Sequence, residues 1–198
     1  MKILSISIFI TLIFTSGCQA QEHPVQAQNA RLVGKPCEGC EAVFEYGNKK
    51  LSSVDTLPDF YDKGSKLKVT GVIYQPDGKT PAKDVILYIY HTNQQGIYPT
   101  KGGETGWARR HGYIRGWVKT DQDGKYEFYT LKPGAYPGGG NPAHIHPILL
   151  EPNGKYYWID EYHFAGDSYL KKEMIPKSQR GATSGVLELK KERNLLVD

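Results

Sequence analysis

The chain has 198 residues, room for one ordinary domain with its own core plus tails, and a second full domain is not expected. Its net charge of +4 comes from 25 basic and 21 acidic side chains. These are well mixed, with no basic block and no aromatic-studded basic stripe, which argues against a nucleic-acid partner.

Residues 1–17, MKILSISIFITLIFTSG, set Lys2 before an apolar stretch too short for a membrane span, the shape of a secretory signal. Cys18 follows at once. Thr15-Ser16-Gly17-Cys18 resembles a bacterial lipobox, with Thr15 in place of the usual aliphatic residue, and implies lipidation of Cys18. The expectation is an exported chain, anchored to a membrane only through lipid and facing the periplasm or the cell surface. Residues 18–36 read as the lipoprotein tether, and residues 37–198 as one domain. Cys37 and Cys40 form CEGC at the start of that domain. In an oxidising compartment a local disulfide is the first reading, ahead of free thiols; zinc would need two further ligands, and a redox site would need a βαβ context.

From Lys66 onward, short alternating or apolar segments are separated by turn clusters, without sustained helical periodicity. Strands are expected over 66–74, 85–91, 113–120, 125–131, 143–151 and 155–160, with 185–190 closing the sheet. The apolar segment 85–91 reads as an inner strand. Asp121-Gln122-Asp123-Gly124 and Pro152-Asn153-Gly154 each signal a hairpin. Six or so strands with turns this closely spaced argue an all-β fold, a β-sandwich. Two Gly-rich loops, 93–112 and 132–141, are longer than connection requires, and each contains a Tyr-Pro pair, Tyr98-Pro99 and Tyr136-Pro137. Loops of that kind are usually functional.

The segment Ala143-His144-Ile145-His146 puts two imidazoles at i and i+2. On a strand they leave the same face, which suits a shared metal ion. A hard cation such as iron(III) favours phenolate oxygen and lowers the tyrosine pKa from about 10 toward neutrality. Tyr98 and Tyr136, pinned by their prolines, are the candidate phenolates. The other tyrosines, including Tyr88, Tyr90, Tyr126 and Tyr129, read as packing residues, and His91 as the end of a strand.

The runs GVIYQPDGKTPAKDVILYIYHTNQQGIYP, IRGWVKTDQDGKYEFYTLKPGAYP, PAHIH and EYHFAGD together resemble the intradiol ring-cleavage dioxygenases, in particular small exported members; CEGCEAVFE resembles the exported branch. The resemblance implies a β-sandwich with the metal between its sheets and loops. It implies non-haem Fe(3+) held by Tyr98, Tyr136, His144 and His146. The implied substrates are a small-molecule catechol and O2, with the ring opened between its two hydroxylated carbons to a cis,cis-muconate-type product. Tyr136 would be the ligand that substrate displaces. The family usually has arginine three residues before the first histidine, where this chain has Asn141; Arg109 or Arg110, on the loop after Tyr98, would then supply the missing positive charge.

Two rival readings accompany this one. Gly138, His144, His146 and Glu151 match the first half of a cupin metal motif, without its second half and with Pro147 interrupting the strand. The turn-and-strand pattern is also similar to carboxypeptidase-regulatory-like sandwich modules, which would make the protein a non-catalytic binding module of a surface lipoprotein. No motif specifies the catechol or an oligomeric state.

Overall fold

The computed structural model describes residues 29–177, 181 and 183–198. The signal and Cys18 lie outside them. Among the described residues the strands are β1 (Arg31–Leu32), β2 (Val54–Thr56), β3 (Lys66–Val72), β4 (Ile86–His91), β5 (Arg115–Lys119), β6 (Lys125–Leu131), β7 (His144–Leu150), β8 (Lys155–Trp158), β9 (Tyr162–Phe164), β10 (Val186–Leu187), β11 (Lys190–Glu192) and β12 (Leu195–Val197), with one short α-helix, α1 (Ala108–His111). They form a β-sandwich. The larger sheet runs β1-β8-β7-β4-β5, with β9 joining β7 and β10 joining β9; the smaller runs β11-β12-β3-β6-β2.

The period of two along each strand divides the molecule into two cores. Leu87 and Ile89 of β4, Val118 of β5 and Ile145 and Leu149 of β7 meet Leu67, Val69 and Phe128 of the smaller sheet. Alternate residues of the same strands, Ile86, Tyr88, Trp117, Ile148 and Leu150, point to the other face. There they pack against Cys40, Ala42, Val43 and Tyr46, on and just after a 3-10 turn, Cys40–Phe44. Strand β4 is therefore inner in both senses: β5 and β7 flank it, and both faces are covered, as its uninterrupted apolar run requires. Cys37 and Cys40 are joined in a disulfide that closes the loop leading into this covering segment.

Several expectations change in the folded chain. Segment 121–124 makes a tight turn, with Asp121 Oδ1 accepting from the backbone N–H of Asp123 and Lys125, both at 2.9 Å. It is not a hairpin within one sheet, because β5 pairs with β4 and β6 pairs with β3. The chain changes sheets at this corner, and the buried Thr120 hydroxyl, donating to Ala82 O at 2.7 Å and accepting from Val85 N–H at 3.0 Å, secures it. The hairpin at 152–154 does form, with β7 and β8 antiparallel. Segment 185–190 divides between the sheets, β10 joining β9 and β11 joining β12. Residues 31 and 32, inside the stretch assigned to a tether, form β1 beside β8.

Candidate metal centre

Strand β7 carries the two histidines. His144 and His146 share a face with Ile148 and Leu150 and so point away from the inter-sheet core that receives Ile145 and Leu149. The centre thus lies on the covered outer face of the larger sheet, not between the sheets. The alternation of β7 accompanies this: with Ile145 and Leu149 in the core between the sheets, the histidines share the other face, which the Cys40–Phe44 turn and neighbouring residues cover. On one side β7 pairs with β9 through His144 and Ile145, and with β8 from Ile148 onward. Pro147 follows that change of partner, where its missing N–H costs the ladder little, and the strand continues through it. The segment joining β8 to β9 turns at the same place and delivers Glu161 to His146.

The two tyrosines arrive on the long loops. The first loop leaves β4 and the second leaves β6, and the two are tied where Gly134 N–H donates to Asn93 O at 2.9 Å and the Thr92 hydroxyl donates to Gly134 O at 3.0 Å. Gly96, at φ +75°, lets them touch: a Cβ there would stand 1.8 Å from Ala135 O. Only glycine fits such an approach. The contact sets Tyr98 and Tyr136 side by side.

The four donor atoms converge. Tyr98 Oη is 2.6 Å from Tyr136 Oη and 2.8 Å from His146 Nε2, and His146 Nε2 is 3.0 Å from His144 Nε2. Their partners assign the tautomers. His144 Nδ1 lies 2.7 Å from Pro142 O, which can only accept, so Nδ1 carries the proton. His146 Nδ1 lies 3.1 Å from a Glu161 carboxylate oxygen and carries its proton too. In the neutral imidazoles both Nε2 atoms then present lone pairs, which face each other across 3.0 Å. A cation between them turns this repulsion into ligation. Ligands each ~2.0–2.1 Å from one ion stand ~2.9–3.4 Å apart, close to the spacing here.

Electrostatics points the same way. Burial, reinforced by the hydrogen bond with Tyr136, pushes the Tyr98 phenol well above its ordinary range. Burial also raises Tyr136, against the opposing effect of Tyr98. Burial and the neighbouring His146 lower His144 and keep it neutral. Burial works against the charge of Glu161, but the hydrogen bond from His146 and the surrounding imidazoles outweigh it and hold the carboxyl at about 2. The donor set thus comprises two phenols held protonated and two imidazole Nε2 atoms turned to the centre, beside one carboxylate. A hard cation would displace the phenolic protons and bind two phenolates, and iron(III) fits that set.

The structure adds residues that sequence reasoning missed. Tyr90, read as a packing residue, stacks on His146 and, on its other face, on His111, with ring centroids 4.5 and 3.7 Å apart. His111 in turn takes a 2.8 Å hydrogen bond between its Nδ1 and the buried Tyr88 hydroxyl. Glu161 forms a three-residue group with His144 and His146 whose ligand atoms lie within 4.8 Å of one another. Its only sequence signal was its place in the EYHFAGD run. His91 does end its strand, on the opposite face, bonded to Thr130 Oγ1 at 2.8 Å. Asn141 is exposed on the loop before β7. Arg109 donates from Nε to Glu104 O at 3.1 Å, and Arg110 pairs with Glu38.

Comparison with known proteins bears on this arrangement. The family described as Dioxygenase matches residues 44–194. Catechol 1,2-dioxygenase 1 of Acinetobacter lwoffii is 34% identical over 160 residues, covering 68% of this chain and 50% of the relative. The protocatechuate 3,4-dioxygenase beta chain of Burkholderia cepacia is 31% identical over 121 residues, covering 57% of this chain and 50% of the relative. The chain thus spans about half the length of these curated relatives. Among solved structures, the intradiol ring-cleavage dioxygenase from Tetranychus urticae superposes with a TM-score of 0.53 at 21% identity, covering 76% of this chain and 84% of that one. The catechol 1,2-dioxygenase of Acinetobacter radioresistens gives 0.53 at 17% identity, covering 74% and 55%. At these identities the two structures bear on fold alone.

Proposed function

We propose a reaction from the premise that this chain belongs to the intradiol ring-cleavage dioxygenase family. The protein binds iron(III) through Tyr98, Tyr136, His144 and His146 and cleaves a catechol between its hydroxylated carbons, both atoms of O2 entering a cis,cis-muconate-type product. The observation that carries the proposal is the convergence of two phenol oxygens and two unprotonated Nε2 atoms, with neighbours 2.6–3.0 Å apart. Bound iron(III) supplies Lewis acidity and accepts electron density from the catecholate.

The protein's own groups do the rest. Glu161 and Pro142 O fix the two imidazole tautomers, so each Nε2 faces the centre. Tyr98 Oη is shared between Tyr136 and His146, whereas Tyr136 makes its contact through Tyr98. Tyr136 is therefore the phenolate freer to leave and to accept a proton from a substrate hydroxyl. Of the two loop arginines, Arg110 lies nearer the cavity next to His146, where it pairs with the lining Glu38, and Arg109 is held by Glu104 O. The binding-module and cupin alternatives are not favoured by the family the chain belongs to.

Aerobic loading with iron tests the assignment. Purified protein should retain one iron per chain, show a visible tyrosinate charge-transfer band and consume O2 with catechol. His144→Ala and His146→Ala should lose the iron, and Tyr136→Phe should shift or bleach the band. A wild-type protein that takes up no iron, or two tyrosine variants with an unaltered spectrum, would refute it. We also propose that Cys18 is lipidated and anchors the exported chain. Cys18→Ser should then lose fatty acid and membrane association.

A further inference from the structure

The Cys37–Cys40 disulfide lies at one end of a column of rings whose other end is His146. Gly39, between the two half-cystines, has φ +84° and rests directly on His111: a Cβ there would stand 2.5 Å from His111 Nε2 and 3.0 Å from the Trp107 ring. Only glycine fits that approach. The imidazole of His111 lies flat on Tyr90, centroids 3.7 Å apart, and Tyr90 lies on His146 at 4.5 Å. Its edge is held too, by the 2.8 Å hydrogen bond between Nδ1 and the Tyr88 hydroxyl. Close-packed rings pass on displacement instead of absorbing it, so a shift of Gly39 reaches His146 through two aromatic contacts.

Two links hold this loop to its surroundings, and they differ in strength. The Glu38–Arg110 ion pair joins it to α1, but both side chains are exposed, where such a pair contributes little. The disulfide spans Gly39 and ties Cys37 to Cys40, which is fully buried in the core on the outer face. Beyond the 3-10 turn, Glu45 accepts from Trp107 N–H at 2.9 Å and pairs with Arg115 at 2.5 Å. The start of α1 is thus held without the disulfide, whereas its end, His111, meets the loop at Gly39. We propose that the Cys37–Cys40 disulfide and His111 are positioning residues of the metal centre, setting the ring plane of His146 through Tyr90. The inference rests on reading the donor cluster as the iron site.

Four variants of the full chain test it. Cys37→Ala opens the disulfide and leaves Cys40 in place, where a free thiol packs as a small hydrophobe. His111→Ala removes the ring, His111→Phe keeps it, and Val43→Ala cuts into the same core at a residue outside the column. The iron-loaded proteins are compared by visible band, electron paramagnetic resonance of iron(III) and chelator competition, the metal-free ones by melting temperature and the His146 imidazole signals in 15N NMR. Cys37→Ala and His111→Ala should shift the band and the resonance, move the His146 signals and bind iron about tenfold more weakly, the lower end for a lost supporting contact. His111→Phe should restore all four, and Val43→Ala should melt lower with the wild-type band. Unchanged spectra and iron affinity in Cys37→Ala or His111→Ala overturn the proposal, as does an equal change in Val43→Ala. If Cys37→Ala does not fold, Gly39→Ala, which keeps the disulfide and forces a methyl against His111, carries the same expectation and the same refutation. A wild-type chain that takes up no iron would overturn the reading of the donor cluster instead, and the His146 signals of the metal-free proteins still decide the positioning role.

Discussion

The ring of Tyr90 lies flat on that of His146, centroids 4.5 Å apart and planes 15° from parallel. Its other face carries His111 at 3.7 Å and 4°. Stacked on both sides, the Tyr90 ring holds the plane of the imidazole proposed to bind iron. Tyr90→Leu should broaden or shift the visible band and weaken iron retention, whereas Tyr90→Phe, which keeps the ring, should restore both. If the two variants behave alike in electronic spectra, the ring has no positioning role.

Glu161 acts on the same imidazole through its edge. Its carboxylate accepts from His146 Nδ1–H at 3.1 Å and thereby keeps Nε2 free. Loss of such a partner typically costs ~10–100-fold in metal affinity. Glu161→Ala should fall in that range in a chelator competition. Glu161→Gln retains a hydrogen-bond acceptor without the charge and should lose less.

Charge at the ring-binding end can be added or removed. Asn141→Arg, at an exposed loop position, should raise turnover of unsubstituted catechol by about tenfold, less than the ~100-fold worth of a donor in a water-excluded site. Arg109→Ala and Arg110→Ala test the compensation for Asn141: loss of the guanidinium that supplies it should lower turnover by about tenfold, with Arg109 held by Glu104 O and Arg110 by Glu38. Iron content measured alongside should stay constant; a parallel fall in iron would assign the effect to folding instead.

His91 links stability to pH. It is buried between the sheets, where burial lowers its pKa to about 4 although its bond to Thr92 O opposes the shift. The unfolded chain, with a histidine pKa of about 6.5, binds the proton more readily, so stability is full above that value and falls as pH drops toward 4. The shift corresponds to about 3 kcal/mol. Urea denaturation at pH 7 and pH 4.5 should show this loss for the wild type and a smaller one for His91→Gln. Equal losses in the two proteins would contradict it.

Much of the molecule is written in local chemistry. Alternation and turn residues are enough to locate β3 through β8, and the all-β class follows, because side-chain parity and Gly/Asn/Asp turns are properties of a few adjacent residues. The same parity puts His144 and His146 on one face, and the two Tyr-Pro loops mark Tyr98 and Tyr136. What sequence could not decide is which face of the sheet the histidines share, since either parity satisfies a strand buried on both sides. The packing of the 37–46 segment over the outer face decides it. Glu161 and Tyr90 escaped for a related reason. Each meets His146 across the sheet, through a change of strand partner at Pro147 and through the cross-strand register of Tyr90 with His146, and such long-range pairings exist only once the sheet has assembled.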